Sequence, residues 1–376
     1  MYRMPFVFLR QDARHGWIAR DACVALALCA GVAISAAATA AQDEIFGDGF
    51  DGFDHAACDP GLASDSTVAA QFAAALDLCQ TTTEPGTSPG LISAALTLSS
   101  GSGAAAPQSH AIRTTFGSGN TPRAGAAMLV LSTGAAAAVG QTNPSFTAFQ
   151  PGADTSTSSA APGDWLAANG GAFPVAPGCP AANSSTAFNP IMLTLRIRVP
   201  GNARSFSVAA NFLTSEFPEY VCSSFNDVFV ALLDSSYAGT PANPADKNLA
   251  TYVAPGSMHY PLGSALARDN TGLFTQCVNG ATGCFSGNTG TIATCAGTGG
   301  ILGTGMDFAD AGTCNANSVV GGGTDWLVLR GNVVPGETIQ LRLAIWDTGD
   351  GSYDSVVLLD NFRWSSDVIT PGTTLN

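Results

Sequence analysis

The sequence predicts a mainly β protein: a jelly-roll-like β-sandwich with one short N-terminal helix and a disulfide-stapled loop excursion. Apolar and polar residues alternate in several short segments after residue 190, as in strands with one face in a core. Glycine and proline turns separate these segments, and the chain of 376 residues contains 43 glycines and 21 prolines. Because little between residues 180 and 365 looks helical, two packed sheets are the natural architecture.

The N-terminal part of the chain carries one convincing helix pattern. Its N-cap is Ser64 or Asp65, and it extends to Cys79. The residues at helical spacing on its apolar face are Val68, Phe72, Leu76 and Cys79. Because only this stripe is apolar, we expect the helix to dock on another part of the protein. A glycine-bounded apolar strand is predicted farther on, over 126–134.

The clearest strand signals follow residue 190. Alternating segments at 193–199 and 206–212 flank a turn at 200–202 and predict a hairpin with one face in the core. Segment 338–346 alternates in the same way. Two continuously apolar segments predict strands that are buried between two layers. These segments are 228–233 and 356–359.

Composition divides the chain into stretches of different character. Residues 135–190 are rich in Ala, Ser, Thr, Pro and Gly and are typical of a long loop, whereas 261–323 combines four cysteines with few apolar runs. The expected division is a signal peptide at 1–40, an acidic flexible lead at 41–57, a helix and strand part at 58–150, a loop at 151–190, the sandwich core at 191–365 and a flexible tail at 366–376.

The first forty residues have the pattern of an export signal. Arginines precede an apolar stretch over 22–36, and Ala38-Thr39-Ala40 offers a small-x-small cleavage site. The stretch has about 15 residues, short of the roughly 20 that span a bilayer, so cleavage is favoured over a membrane anchor. We therefore expect a secreted, extracellular or cell-surface protein, or a periplasmic one, without a transmembrane anchor after cleavage.

The cysteines predict a disulfide framework. Of ten cysteines, Cys23 and Cys29 lie in the signal, and an even number remains, as in exported disulfide-bonded proteins. Those that remain are Cys58, Cys79, Cys179, Cys222, Cys277, Cys284, Cys295 and Cys314. Proximity favours Cys58–Cys79 and Cys179–Cys222, with two bridges of open pairing among the last four. Their spacing does not match the tight pairs of zinc sites.

Charged residues are scarce and mostly acidic. The formal net charge is −14, and Lys247 is the only lysine. Binding to a phosphate backbone requires a basic surface, so nucleic acid is not an expected partner. Two acidic segments, 215–229 and 347–355, stand out because each lies beside an apolar strand pattern.

These two segments contain the candidate metal ligands. The ligand set is Asp347, Asp350, Asp354, Glu216, Glu219, Asn226 and Asp227. Carboxylate and amide oxygens on a glycine-containing loop suit calcium, although the spacing is not that of an EF-hand. Two alternatives stay open: the carboxylates cap turns by accepting backbone hydrogen bonds, or two of them form a catalytic pair.

Aromatic residues are interleaved with these acids. Tyr220 and Tyr353 are the candidate ligand-binding residues, and a glycan or another surface protein is the candidate partner; packing of the rings in the core is the alternative. No catalytic residue is assigned, because His55, His110 and His259 match no nucleophile or metal-hydrolase motif.

The acidic segments read SEFPEYVCSSFNDVF at 215–229 and DTGDGSYDS at 347–355, and FGSG at 116–119 precedes MLVLSTG at 128–134. In this order the motifs resemble the choice-of-anchor L domain, a bacterial family of secreted and cell-surface proteins, over roughly residues 58–365. The resemblance implies a location and a fold, but no established activity.

Most members of that family carry a C-terminal anchoring signal, whereas no apolar tail follows Trp364 here, so release or non-covalent retention is expected.

The sequence therefore favours an exported, calcium-stabilised, non-catalytic binding or adhesion module. Two alternatives remain open. One is an extracellular polysaccharide hydrolase that uses Glu216 or Glu219 with Asp354, and the other is a purely structural envelope protein.

Overall fold

The computed structural model describes residues 58–176, 178–254, 258–267, 271–277, 294–310 and 318–375. The predicted signal and acidic lead lie outside this part of the chain. The helices within it are α1 (Ala69–Ala74) and α2 (Gly163–Ala168), with 3-10 turns at Pro107–Ser109 and Ser264–Ala267. None of the helices in these ranges is long and apolar enough to cross a membrane.

The strands follow in chain order. They are β1 (Gly90–Thr97), β2 (His110–Arg113), β3 (Met128–Ser132), β4 (Ser158–Ala160), β5 (Thr186–Arg198), β6 (Ser205–Thr214), β7 (Val228–Asp234), β8 (Thr251–Ala254), β9 (Met258–Gly263), β10 (Phe308–Asp310), β11 (Ser318–Val320), β12 (Gly322–Gly323), β13 (Leu327–Asn332), β14 (Thr338–Thr348), β15 (Ser355–Ser365) and β16 (Gly372–Leu375).

Two antiparallel sheets contain most of these strands. The first sheet has the order β1-β5-β14-β7-β9-β8, with β4 beside β5. The second has the order β16-β13-β6-β15-β3-β2, with β12 beside β6, while β10 and β11 form a separate ribbon. The predicted mainly β class and the sandwich are confirmed.

The apolar patterns of β7 and β15 result from burial on both faces. Phe229 and Leu233 of β7 pack in the core between the sheets, whereas Val230 lies in a separate apolar cluster on the other face. In β15, Val357 joins the central core and Val356 joins an outer cluster. Since successive side chains of a strand point to opposite faces, a continuous apolar run is what two covered faces require.

Residues 151–190, predicted as a loop, contain β4, α2 and the beginning of β5, and they cover the outer face of the first sheet. Trp165 of α2 packs against Trp346 of β14 with ring centroids 5.5 Å apart. An ion-pair network holds α2 in this position. Its members are Asp164, Asp234, Lys247 and Arg342, and Arg342 donates to both Asp164 oxygens at 2.8 and 2.7 Å.

The predicted hairpin between 193–199 and 206–212 is wrong. These segments are β5 and β6, which belong to different sheets: β5 pairs with β1 and β14, and β6 pairs with β13 and β15. The chain crosses from one sheet to the other between them, so their apolar faces meet across the core. Alternation shows which face of a strand is buried, but it does not show which strand lies beside it.

Helix α1 is shorter than the predicted helix from Ser64 or Asp65 to Cys79. Phe72 and Leu76 are buried as expected, whereas Val68 is 53% exposed at the N-cap position. The chain turns at Asp77, which has a positive φ of 69°. A helix cannot continue through that conformation.

At the other end of the chain, residues 372–375 of the expected tail form β16, an edge strand on β13.

Three disulfides lie within the described residues. They are Cys58–Cys79, Cys179–Cys222 and Cys277–Cys295, with Cα atoms 5.4, 4.8 and 5.1 Å apart. Cys284 and Cys314 are outside that part of the chain. The Cys179–Cys222 bridge ties the covering segment of the first sheet to the acidic segment 215–229.

Candidate functional site

The fold brings the two acidic segments to the same end of the sandwich. The first segment connects β6 to β7, and the second connects β14 to β15. The strand ends are neighbours, because Thr214 pairs with Ser355 in the second sheet and Val228 pairs with Trp346 in the first. Both connections therefore pass between the sheets side by side.

Most of the predicted ligands are buried there. Glu216 is 2% exposed, Asp347 1% and Asp354 0%. Glu219, Asn226 and Asp227 are also buried, whereas Asp350 is exposed, and its Oδ1 accepts a hydrogen bond from the Ser352 N–H at 3.0 Å. The structure thus brings the predicted ligands of both acidic segments to one end of the sandwich, with Asp350 at the edge of the group.

Asp227 and Asn226 have well-defined partners. Asp227 Oδ1 accepts from the Thr348 N–H at 3.2 Å, and its Oδ2 accepts from the Ser355 hydroxyl at 2.6 Å. The Asn226 side chain closes its own turn, since its Oδ1 accepts from the Cys222 N–H at 3.1 Å. The Asn226 bond is local, as the turn-capping alternative requires, whereas the Asp227 bonds reach across to the other acidic segment.

Asp347 and Asp354 accept hydrogen bonds from residues that sequence analysis did not identify. Asn189 Nδ2 donates to Asp347 Oδ2 at 2.9 Å, and the Ala153 N–H donates to Asp354 Oδ2 at 2.9 Å. Both residues lie in the stretch that was predicted as a loop, although Asn189 belongs to β5 in the structure. Neither position had a detectable signal.

Glycine backbones pack directly on Asp354. A Cβ at Gly134 would lie 1.9 Å from Asp354 Oδ2, and one at Gly152 would lie 2.8 Å from its Oδ1. No real Cβ approaches an oxygen that closely, so both positions must lack a side chain while Asp354 stays where it is.

Three carboxylate oxygens in this cluster lack hydrogen-bond partners within the described residues. They are Glu216 Oε2, Asp347 Oδ1 and Asp354 Oδ1. An isolated ionised carboxylate is costly to bury without a partner. These atoms come from both acidic segments, which argues against a distortion of one segment as their common cause.

The carboxylates also act on one another. Burial, followed by the charge of Asp227, raises the pKa of Glu216 well above its ordinary value. Burial has the same effect on the pKa of Asp347, with Asp227 and Asp354 adding to it. Burial raises the pKa of Asp227 strongly and that of Asp354 to about 7. Such a cluster must hold protons or a cation at neutral pH.

No three His, Cys, Asp or Glu side chains in the described ranges converge closely enough to hold a metal ion as they stand. Metal binding would therefore require side-chain rotation. The donors available are all oxygens, which suits calcium or magnesium and not zinc.

Tyr220 and Tyr353 lie at the outer edge of the same connections. Their ring centroids are 4.8 Å apart, and both side chains are half-buried. Burial, followed by a hydrogen bond with Tyr353, raises the pKa of Tyr220. By contrast, Phe217 and Trp346 are fully buried. The two tyrosines form a paired aromatic surface next to the carboxylates.

A second carboxylate group was missed by sequence reasoning. Asp59, Asp77 and Asp360 surround the turn at 123–127; Asp59 accepts from the Ala126 N–H at 2.8 Å and Asp360 from the Ala124 N–H at 3.2 Å. Burial raises the pKa of Asp77 to about 6 and that of Asp360 to about 7. These acids lie far apart along the chain, so no motif revealed them.

The fold and its bridges define a disulfide-bonded β-sandwich, a class typical of exported proteins. The family model for the choice-of-anchor L domain matches residues 115–363, well over half of the chain. The chain therefore belongs to the choice-of-anchor L domain family, which confirms the resemblance and indicates a cell-surface or secreted protein. The match begins later than the expected residue 58. No curated protein and no solved structure matches the chain.

Proposed function

We propose that the protein is an exported, calcium-stabilised β-sandwich that acts as a non-catalytic binding or adhesion module outside the cell or at its surface. The observation that carries the binding role is the Tyr220–Tyr353 pair. Tyrosine offers a large apolar face and a polar hydroxyl at a low cost in side-chain entropy. Such a pair suits the faces and hydroxyls of a glycan or the side chains of another surface protein.

The position of the pair supports this role. Tyr220 and Tyr353 belong to the two connections that pass between the sheets, and each connection is fixed at both ends by a strand. Rings that are held on rigid supports lose little freedom when a ligand binds. The tyrosine pair is therefore preorganised for ligand binding.

The burial of the acids favours binding over hydrolysis. A general acid or base must come within about 2.6–3.2 Å of the atom that it protonates or deprotonates. Glu216, Glu219 and Asp354 are at most 2% exposed, so a polysaccharide chain does not reach them in this conformation. A structural role explains the burial of these three carboxylates better than a catalytic role does.

A carbohydrate array combined with a reducing-sugar assay tests the proposal. The purified protein should bind at least one arrayed glycan, and Tyr220→Ala and Tyr353→Ala should each weaken binding by about fivefold or more, the usual scale for an aromatic contact residue. Tyr237→Ala is the matched control, because Tyr237 is also half-buried but follows the opposite end of β7. Melting temperatures should be compared for all three variants.

Two results would contradict the proposal. Release of reducing ends that Glu216→Gln abolishes in a folded protein would establish the hydrolase. An array without any binding would contradict glycan recognition and favour a purely structural envelope role.

A further inference from the structure

We propose that Glu216, Asp227, Asp347 and Asp354 form a single calcium site that links the two sheets and fixes the connections that carry Tyr220 and Tyr353. This inference rests on the calcium part of the proposed function and deepens it. It does not depend on which ligand the tyrosines contact.

The connectivity of the four carboxylates supports one shared site. Burial raises the pKa of Asp347, and an interaction with the nearby Thr133 side chain opposes this shift. The next residue, Gly134, lies against Asp354. Thr133 Oγ1 in turn accepts from the Ser355 N–H at 2.9 Å, and the Ser355 hydroxyl donates to Asp227. Three of the carboxylates therefore surround Thr133 and Ser355.

Glu216 belongs to the same group, because the charges of the neighbouring carboxylates act on it. The leading charge effects on it come from Asp227 and Asp347. The leading effects on Asp347 come from Asp227 and Asp354. Repulsion from neighbouring carboxylates thus adds to the effect of burial on Glu216 and Asp347, and a bound cation would convert this repulsion into attraction.

The unpartnered atoms indicate which oxygens would face the ion. Glu216 Oε2, Asp347 Oδ1 and Asp354 Oδ1 are buried and lack a hydrogen-bond partner in the described part of the chain, as does the hydroxyl of Thr348. The second oxygens of Asp347 and Asp354 are held by Asn189 and Ala153. One oxygen of each is fixed by the protein while the other remains available.

The nature of the donors selects the cation. Calcium accepts six to eight oxygens in a flexible arrangement, whereas magnesium requires a near-ideal octahedron and retains several waters. A site built from carboxylates on two connections, which must rotate to converge, fits the more adaptable ion. Asp350 and Asn226 fall outside this smaller ligand set, because one is exposed and the other closes its own turn.

The ion would join the two sheets at this end of the sandwich. Asp347 belongs to β14 of the first sheet, and Asp227 immediately precedes β7 of the same sheet. Asp354 precedes β15 of the second sheet, and Glu216 follows β6 of that sheet. Tyr353 is adjacent to Asp354, and Tyr220 lies four residues after Glu216. A bound ion would therefore position both tyrosine rings.

Direct cation binding to the purified full-length protein tests the inference. Calcium content after equilibrium dialysis should be one ion per chain, and terbium should show tyrosine-sensitised luminescence that calcium competes away. Calcium should raise the melting temperature by several degrees, magnesium should raise it less, and chelator should reverse the rise.

Two near-isosteric variants and one control assign the ligands. Asp347→Asn and Glu216→Gln should each reduce calcium affinity by about tenfold or more, the scale of losses at metal sites. Asp360→Asn is the matched control, because Asp360 is a fully buried carboxylate in the other acidic group. It should lower the melting temperature equally with and without calcium and leave calcium affinity unchanged.

The possible failures are distinguishable. Absence of bound calcium at millimolar concentration, or unchanged affinity in both ligand variants, would overturn the site. Glycan binding that persists in chelator would then leave the binding role intact. If Asp347→Asn does not fold, Glu216→Gln and the stoichiometry of the unmodified protein still decide the question.

Discussion

The Ser355 hydroxyl donates a 2.6 Å hydrogen bond to Asp227 Oδ2 and thereby joins the two sheets of the sandwich. Ser355 begins β15 in the second sheet, and Asp227 immediately precedes β7 in the first. Both side chains are buried. The bond connects the two acidic segments that the sequence places far apart.

Removing this donor should destabilise the protein. Ser355→Ala leaves a buried carboxylate oxygen without its hydrogen bond, which typically costs about 1–3 kcal/mol. Urea unfolding should show this loss as a lower midpoint with an unchanged slope. Ser365→Ala is the control at the other end of the same strand, where the side chain is half-buried, and should change stability by less than about 0.5 kcal/mol. Equal stability of the two variants would contradict the role of the bond.

The Cys179–Cys222 bridge should stabilise the region around the carboxylates. Replacing both cysteines with alanine should lower the free energy of unfolding by about 2–4 kcal/mol. The change should also increase proteolysis within 171–182 and 215–227, because the bridge holds these two segments together. Removing Cys58–Cys79 in the same way is the control, and it should leave the cleavage of both segments unchanged in the folded protein. Indistinguishable cleavage patterns would contradict a local role.

The sequence was sufficient to predict several parts of this structure. The buried faces of β7, β14 and β15 follow from their apolar patterns, since burial on one or both faces dictates the pattern directly. The calcium hypothesis requires segments 215–229 and 347–355 to be neighbours, and the fold brings them to the same end of the sandwich. These predictions depend on local chemistry.

Other parts could not be predicted, because they depend on contacts between distant residues. β5 and β6 belong to different sheets because they pair with other strands, and the alternation of apolar and polar residues does not specify which strands pair. Asn189 and Gly134 matter only because the fold places them beside Asp347 and Asp354. The group formed by Asp59, Asp77 and Asp360 was missed for the same reason.

Gly134 should be intolerant of any side chain. A Cβ would lie 1.9 Å from Asp354 Oδ2, so Gly134→Ala must displace the carboxylate or the strand end. Overpacking of this kind typically costs about 1–3 kcal/mol. Gly163→Ala is the control, since nothing lies within 4 Å of its Cβ position at the start of α2. It should be neutral or slightly stabilising, and denaturant unfolding of both variants measures the difference. A neutral Gly134→Ala would show that Asp354 is not fixed there.

Asp77 should make the protein less stable as pH rises. Burial raises its pKa from 3.8 to about 6, and the charge of Asp59 adds to this effect, while Arg363 and hydrogen bonds from Asp360 and the Asn361 backbone oppose it. The folded state therefore binds more protons than the unfolded state between these two values. Stability from this group is greatest below about pH 4 and declines as pH rises through about 6.

Asp77→Asn should remove this dependence. Asparagine cannot ionise, its amide can donate to the Asp360 carboxylate, and it tolerates the positive φ of 69° at this position. The variant should match the unmodified protein near pH 4 and exceed its melting temperature at pH 8. Asp246→Asn is the control, because Asp246 belongs to neither acidic group, and its profile should follow that of the unmodified protein. If the stability of Asp77→Asn falls between pH 4 and pH 8 as much as that of the unmodified protein, the raised pKa of Asp77 is disproved.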